Sequence, residues 1–302
     1  MKLSISAIIV LFRPDLDSVK QLVDNLSNQV DSIILVDNTP IIYKNYTENF
    51  FQNLNVNYID LKDNLGIAAA HNKGILKALE LNSEFVIIFD QDSSIDKNFI
   101  ASMISAYENI SRIENKIAAI GPSYIDIKTN TMAPVIQFNG LKVNRIIPKE
   151  DSLYTAADYI ISSGTLIHTG VFKDIGLMME ELFIDYVDLE WGLRAKKKGY
   201  QCFVANQVVM KHSIGDHSLK VPFSNKYVNI HSDFRKYFII RNAFFLILYS
   251  NLQANWRIVQ IPKTFMYFAF LCLFVSPRLN NVKIFFLAFK DAIIKKMGKG
   301  SM

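Results

Sequence analysis

Apolar residues in the first hundred positions fall into two alternating textures. Short, nearly continuous β-branched and aromatic runs stand at Ile5–Leu11, Ile33–Val36, Val56–Ile59 and Phe85–Phe89. Segments of helical period lie between them, at Leu16–Leu26 and Ile67–Leu81. Strands without an alternating polar face, separated by helices, predict a parallel sheet covered on both sides. The middle of the chain mixes strand patterns (Ala118–Ile120, Thr165–Ile167, Cys202–Ala205) with loops and one helix, Tyr186–Lys198, whose opening is heavily charged. Beyond Tyr227 the texture becomes helical and aromatic, over Arg235–Tyr249, Trp256–Val275 and Val282–Met297. These patterns divide the chain into an α/β domain, residues 1–226, and a helical C-terminal region, residues 227–302.

Charge sharpens that division. The 302 residues carry a net charge of +5, yet from Arg235 onward eleven Lys and Arg accompany a single acid, Asp291, so the first part is mildly acidic. A basic tail crowded with Phe, Leu and Ile suits an anionic lipid surface better than nucleic acid. Its longest uncharged stretch, Thr264–Pro277, is shorter than the roughly 20 residues of a spanning helix, which predicts an interfacial or re-entrant helix pair in preference to a span, the alternative being an ordinary helical cap on the α/β domain or a dimer surface. The first apolar run is too short for a secretory signal and ends at Arg13-Pro14. Two cysteines far apart, Cys202 and Cys272, fit a reducing compartment and offer no metal-type spacing. The predicted location is the cytoplasmic face of a cell membrane.

Open parallel sheets bind ligands beyond the carboxyl ends of their strands. The residues at those places are Phe12-Arg13-Pro14, Asp37-Asn38, Asp60–Asn64 and Asp90-Gln91-Asp92, and three of the four groups contain carboxylates. Asp90 and Asp92, two apart beyond a buried strand, suit a hard divalent cation with positions left for phosphate oxygens. Asp37 reads either as a turn-capping side chain or as a contact to a nucleobase or ribose. Asn64-Leu65-Gly66 leads into a helix of small residues whose amino end could face a phosphate, although it is no Gly-rich phosphate cradle. Around the later helix stand Asp185, Tyr186, Asp188, Glu190, Trp191 and Arg194. Glu190 and Arg194 are i, i+4 neighbours that can pair, and Asp188 sits at the helix start facing the cleft. His212 follows the strand Cys202–Val209 and is a candidate third metal ligand.

In this order the residues resemble the family 2 glycosyltransferases, and within them bacterial rhamnosyltransferases of surface-polysaccharide (O-antigen type) assembly. The resemblance runs from Ile5 to Ser218. It is carried by Val36-Asp37-Asn38, Asn64-Leu65-Gly66-Ile67-Ala68, Asp90-Gln91-Asp92-Ser93, Ser163-Gly164-Thr165, Phe183–Arg194 and His212. Phe12-Arg13 stands where many members carry a polar pair such as Tyr-Asn. The resemblance implies an α/β nucleotide-sugar-binding fold of the GT-A type, with a mainly parallel central sheet. It also implies that sugar transfer inverts the anomeric centre. It places Phe12, Asp37, Asn64, Gly66, Asn72, Asp90 and Asp92 around the nucleotide-sugar donor. Asp92 and His212 would hold Mg²⁺ or Mn²⁺, Asp188 would be the general base, and Glu190, Trp191 and Arg194 would shape the acceptor side. The expected partners are a nucleotide sugar, a lipid-linked oligosaccharide acceptor and the membrane surface, and no nucleic acid. Two other classes compete: a sugar-phosphate nucleotidyltransferase, which would need a Gly-rich basic loop after the first strand, and a non-catalytic membrane-docked nucleotide-binding scaffold. A nicotinamide dehydrogenase is disfavoured by the absence of glycine in the first strand-to-helix turn.

Overall fold

The computed structural model describes residues 3–47, 49–52, 54–127, 130–212, 217–220 and 227–302; the side chains of residues 52, 212, 217–220 and 227–229 lie outside that description. In chain order the elements begin β1 (Ile5–Leu11), α1 (Leu16–Leu26), β2 (Ser32–Asp37), α2 (Asn49–Gln52), β3 (Asn57–Asp60), α3 (Ile67–Glu80), β4 (Phe85–Asp90) and α4 (Phe99–Ser111). The middle contributes β5 (Ile117–Asp126), β6 (Thr131–Met132), β7 (Val135–Asn139), β8 (Lys142–Ile146), β9 (Tyr154–Ala157), β10 (Thr165–His168), α5 (Val171–Ile175), α6 (Val187–Lys197) and β11 (Gln201–His212). A hairpin, β12 (His217–Lys220) and β13 (Tyr227–Ile230), leads to α7 (Asp233–Tyr249), α8 (Ala254–Phe274) and α9 (Arg278–Ile293).

The central sheet runs β3-β2-β1-β4-β10-β5-β11-β9, with β6 beside β5. Strands β3, β2, β1 and β4 are mutually parallel, as is the β5–β11 pair. The continuous apolar runs explain the parallel half: all seven residues of β1 are buried, because helices cover both faces. Alternate residues feed two cores. Ile8, Val10, Ile34, Val36, Val86 and Ile88 meet α3 and α6. Ala7, Ile9, Leu11, Leu35, Ile87 and Phe89 meet α1 and α4. Gly74 lets α3 approach the sheet, since a Cβ there would fall 2.4 Å from Ile8 Cγ2. Helix α1 starts where the Asp15 side chain accepts from the Ser18 N–H at 2.8 Å.

Strand β10 runs antiparallel between β4 and β5 and brings Thr165 opposite Ile88. Helix α4, strand β9 and the β7–β8 hairpin add to the elements predicted above, α4 although its buried Phe99, Ile100, Met103, Ala106 and Ile110 fall at helical spacing, and β11 extends well past the Cys202–Ala205 core of its run. Helices α7–α9 pack on one another around Tyr237, Phe238, Phe244, Leu271, Phe285 and Ala288, and Phe183 of the α/β part enters the same cluster. Helix α8 spans 21 residues, longer than its uncharged stretch because it begins before Arg257 and Lys263. Among the described residues it is the one helix long and apolar enough to cross a membrane by length and composition. Only 17% of its most apolar stretch is buried.

Candidate active site

Parallel pairing aligns the strand ends. Leu11 lies opposite Asp37, Asp37 opposite Asp60, and Val10 opposite Asp90. Asp90 therefore ends the central strand, and Asp92 sits exposed in the turn that follows. Between them Gln91 clamps the neighbouring strand end: Phe12 N–H donates to its Oε1 at 2.8 Å and its Nε2 donates to Phe12 O at 3.2 Å. Phe12 is 41% exposed, and Arg13 lies 3.6 Å over the Tyr43 ring.

Asp188 reaches this edge from the first turn of α6. The Ser162 N–H donates to Asp188 Oδ2 at 3.1 Å and the Ser162 hydroxyl donates to Oδ1. The next residue, Ser163, bonds Ser93 Oγ at 2.7 Å and accepts from the Asp90 N–H at 3.4 Å. Asp90 and Asp188, almost a hundred residues apart, are thus tied through adjacent serines. Burial pushes the Asp188 carboxyl up to about 6; the Ser162 hydrogen bonds oppose that rise and the Asp90 charge adds to it. A carboxyl poised there can take a proton at neutral pH. Behind it lies a small cavity lined by Ile160, Thr165, Trp191 and Cys202.

Local backbone geometry makes this placement unusual. Phe183, Asp185 and Tyr186 all have φ between 62° and 66°, where residues with a Cβ are disfavoured by roughly 1–3 kcal/mol each. What holds them is the C-terminal helix α7. The Asn242 amide donates to the carbonyls of Leu182, Ile184 and Asp185 at 2.8–3.0 Å. Arg241 donates to those of Glu181 and Leu182, Arg235 pairs with Asp185 at 2.6 Å, and Phe238 stacks on Phe183. On the other side Gly66, at φ 90°, leaves room for Phe183, whose carbonyl oxygen would lie 2.6 Å from a Cβ there.

Several residues expected to touch ligand have their polar groups engaged inside the protein. The carboxylate of Asp37 is fully buried and accepts from Tyr58 (2.6 Å), Tyr46 (2.9 Å), Lys44 (2.9 Å) and the Thr39 N–H (3.0 Å). Burial alone would raise its pKa, but those donors hold it below the ordinary value. It anchors the wall formed by residues 39–46. Asn72 is likewise buried, bonding Met178 through both its oxygen and its nitrogen and Glu180 through the nitrogen. Asn64 accepts from Asn38 and from the Gly66 N–H, shaping the turn before α3. The expectation that Glu190, Trp191 and Arg194 face an acceptor is corrected. Glu190 and Trp191 are 2% and 4% exposed. Arg194 grips Glu190 in a two-pronged pair at 2.8 and 2.9 Å and donates to the carbonyls of Ile175 and Leu177. The Trp191 indole donates to Gly176 O. The three pin the turn before the Phe183 loop. The predicted pairing of Glu190 with Arg194 is present, on the inner face of the helix.

Among the described residues no three His, Cys, Asp or Glu side chains converge as a metal cluster. Asp90 and Asp92 supply hard oxygen donors at one strand end, a set that suits a divalent cation completed by diphosphate oxygens. His212 ends β11, and its side chain lies outside the described residues. Ser162, Gln91, Arg235, Arg241 and Asn242 were not singled out by the sequence. Ser162 could have been found from its place next to Ser163-Gly164-Thr165; no local signal marks the others.

Residues 6–176 match the model of glycosyl transferase family 2. The chain is 34% identical over 304 residues to the dTDP-rhamnosyl transferase RfbF of Shigella flexneri, covering 99% of both proteins. Among solved structures, S. aureus TarS 1-349 in complex with UDP-GlcNAc superposes with a TM-score of 0.58 at 16% identity, over 96% of this chain and 81% of that one. GalNAc-T7 with UDP, GalNAc and Mn²⁺ superposes with a TM-score of 0.55 at 14% identity, over 70% of this chain and 44% of that one. At such identities the two structures speak to the fold alone.

Proposed function

This chain belongs to glycosyl transferase family 2 and is a glycosyltransferase that uses a nucleotide sugar, and from that premise we propose that it transfers L-rhamnose from dTDP-rhamnose to a lipid-linked glycan at the cytoplasmic face of a membrane. The likeness to a dTDP-rhamnosyl transferase over the whole chain supports the donor. The observation that carries the mechanism is Asp188, held by Ser162 beside Asp90 at the carboxyl edge of the sheet.

In this reading the donor lies across the ends of β1, β2 and β4, with its base near Phe12 and the wall that Asp37 anchors. Asp188 accepts the proton of an acceptor hydroxyl as that oxygen bonds the anomeric carbon and the bond to the diphosphate breaks, so the nucleoside diphosphate leaves with the electron pair. Attack opposite the leaving group inverts the centre. Asp90 and Asp92, joined by His212, would hold Mg²⁺ or Mn²⁺. When bound, such an ion supplies charge neutralisation to the leaving diphosphate. Orienting two substrates in line and removing the proton together account for much of the rate.

The outer faces of α8 and α9 support the membrane reading. Ile258, Ile261, Phe265, Met266 and Leu273 form an exposed apolar stripe on α8, and Leu279 and Phe286 extend it on α9. Lys283 and Lys290 lie exposed beside it. Replacing Asp188 by Asn tests the mechanism: transfer should fall by about 10²–10⁴-fold while nucleoside diphosphate binding persists. Turnover within a few-fold of the parent protein would reject Asp188 as base.

A further inference from the structure

Among the described residues, two cations without a carboxylate partner meet between α8 and the β7–β8 hairpin. Lys263 projects over the Phe138 ring, its Nζ 5.4 Å from the centroid. Phe138 and Ile136 share one face of β7, and Arg145 lies directly opposite Ile136, which makes it a diagonal neighbour of Phe138 on that face. The register therefore brings Arg145 toward Lys263, and the two repel: burial and then Arg145 lower the Lys263 pKa. Among the described residues neither forms an ion pair; the nearby Asp158 is taken by Lys196, and Asp185 by Arg235. A half-buried cation such as Lys263, with a second cation beside it, costs free energy unless an anion joins them.

Their position gives that anion an identity. Tyr159 lies within electrostatic reach of both Arg145 and Asp188, so the cation pair and the catalytic carboxyl share a neighbour. One helical turn before Lys263, Gln260 donates to the Tyr186 hydroxyl at 2.6 Å, tying α8 to the start of α6. One turn after it, the solvent-shielded Tyr267 hydroxyl has no hydrogen-bond partner among the described residues. Two and three residues on from Lys263, Phe265 and Met266 open onto the apolar stripe. A ligand spanning these features carries a hydroxyl at Asp188, an anionic group at the cations and an apolar chain along α8.

We propose that Arg145 and Lys263 seat the diphosphate of a polyprenyl-linked acceptor, so that its glycan reaches Asp188 while its lipid chain stays in the bilayer. This rests on the lipid-linked acceptor reading above. Arginine offers a fork matched to phosphate oxygens and lysine a point charge, and each charge-assisted bond strengthens as water is excluded.

The test uses the full chain and phosphatidylcholine vesicles carrying either a polyprenyl diphosphate or, at matched charge, phosphatidylglycerol. The Arg145→Gln/Lys263→Gln double variant should lose on the order of tenfold or more in affinity for the diphosphate vesicles and markedly less for phosphatidylglycerol. Lys263→Arg should recover most of the loss, and the KM for a lipid-linked acceptor should follow the same order. Arg145→Gln alone, an exposed hairpin position, serves should the double variant unfold. Unchanged affinity for diphosphate vesicles overturns the seat, as does an equal loss on both vesicle types, which marks a general contact with anionic lipid. A loss of nucleoside diphosphate affinity instead would assign the cations to the donor and equally overturn it. If the unsubstituted protein does not distinguish the two vesicle types, the lipid-acceptor reading fails as well.

Discussion

A carboxyl whose proton is released near pH 6 imposes a direction on the rate. Below that value Asp188 is protonated and cannot accept from an acceptor hydroxyl; above it the carboxylate is available. The rate constant kcat/KM should therefore climb with pH along a single ascending limb centred near 6, as pH-rate measurements would reveal. Since burial is the main cause of the rise, a variant that admits water beside Asp188 should move the limb downward. Folding stability runs the opposite way. The raised pKa means that ionising Asp188 costs the folded state, so its favourable share is present below the ordinary carboxyl range and is lost as pH rises through about 6. At this scale the sequence was partly legible. Asp188 stands out because a helix start concentrates acids at a strand-rich edge, and the i, i+4 spacing sets Glu190 apart from it. Helical spacing pairs Glu190 with Arg194 but does not say that the pair faces inward to grip Ile175 and Leu177. Asp37 is legible as a strand-end acid and illegible as a buried one, because its donors Tyr46 and Tyr58 come from two separate segments.

Between elements, the Phe183–Tyr186 turn is gripped from two directions. A methyl at Gly66 would need to occupy the space of the Phe183 backbone while Gly66 itself stays at φ 90°. Gly66→Ala should destabilise the protein by about 1–3 kcal/mol, visible as a lowered unfolding midpoint, with transfer lost more steeply than nucleotide binding. From the opposite side, Asn242→Ala removes three hydrogen bonds, to the carbonyls of Leu182, Ile184 and Asp185 in a strained turn. The Leu182 carbonyl keeps the Arg241 donor, whereas those of Ile184 and Asp185 lose theirs at roughly 1 kcal/mol or more each, and kcat should drop at least tenfold with little change in donor KM. A substitution with parental kcat would show that the turn holds itself. The parallel half of the sheet is readable because each buried strand is a continuous apolar run. Strand β9 and the β7–β8 hairpin are not, since their sides are half exposed and each strand is only four or five residues long. Arg145 and Lys263, more than a hundred residues apart, are brought together by hairpin register and helix packing, which no sequence window contains.

Over the molecule as a whole, apolar exposure is concentrated on the helices farthest along the chain. Replacing Phe265 and Met266, 49% and 63% exposed, by Ser should weaken vesicle binding by about tenfold to a hundredfold, since each side chain can move its apolar surface out of water. Co-sedimentation with vesicles measures it, and donor hydrolysis in detergent should be unaffected. The sequence announced this region by composition, as a basic and aromatic tail. It allowed a helical cap on the α/β part as an alternative but did not disclose the contacts that make one, because they run from the inward side of α7 to a turn some sixty residues earlier.

That grip by Arg241 and Asn242 has a practical consequence. A scissor cut after Tyr227 would not yield a smaller, water-loving enzyme, for it would take away the splint that sets Asp188 in place. On the membrane reading proposed above, release from lipid calls for repainting the outside of α8 and α9, with every inward residue of α7 left as it is.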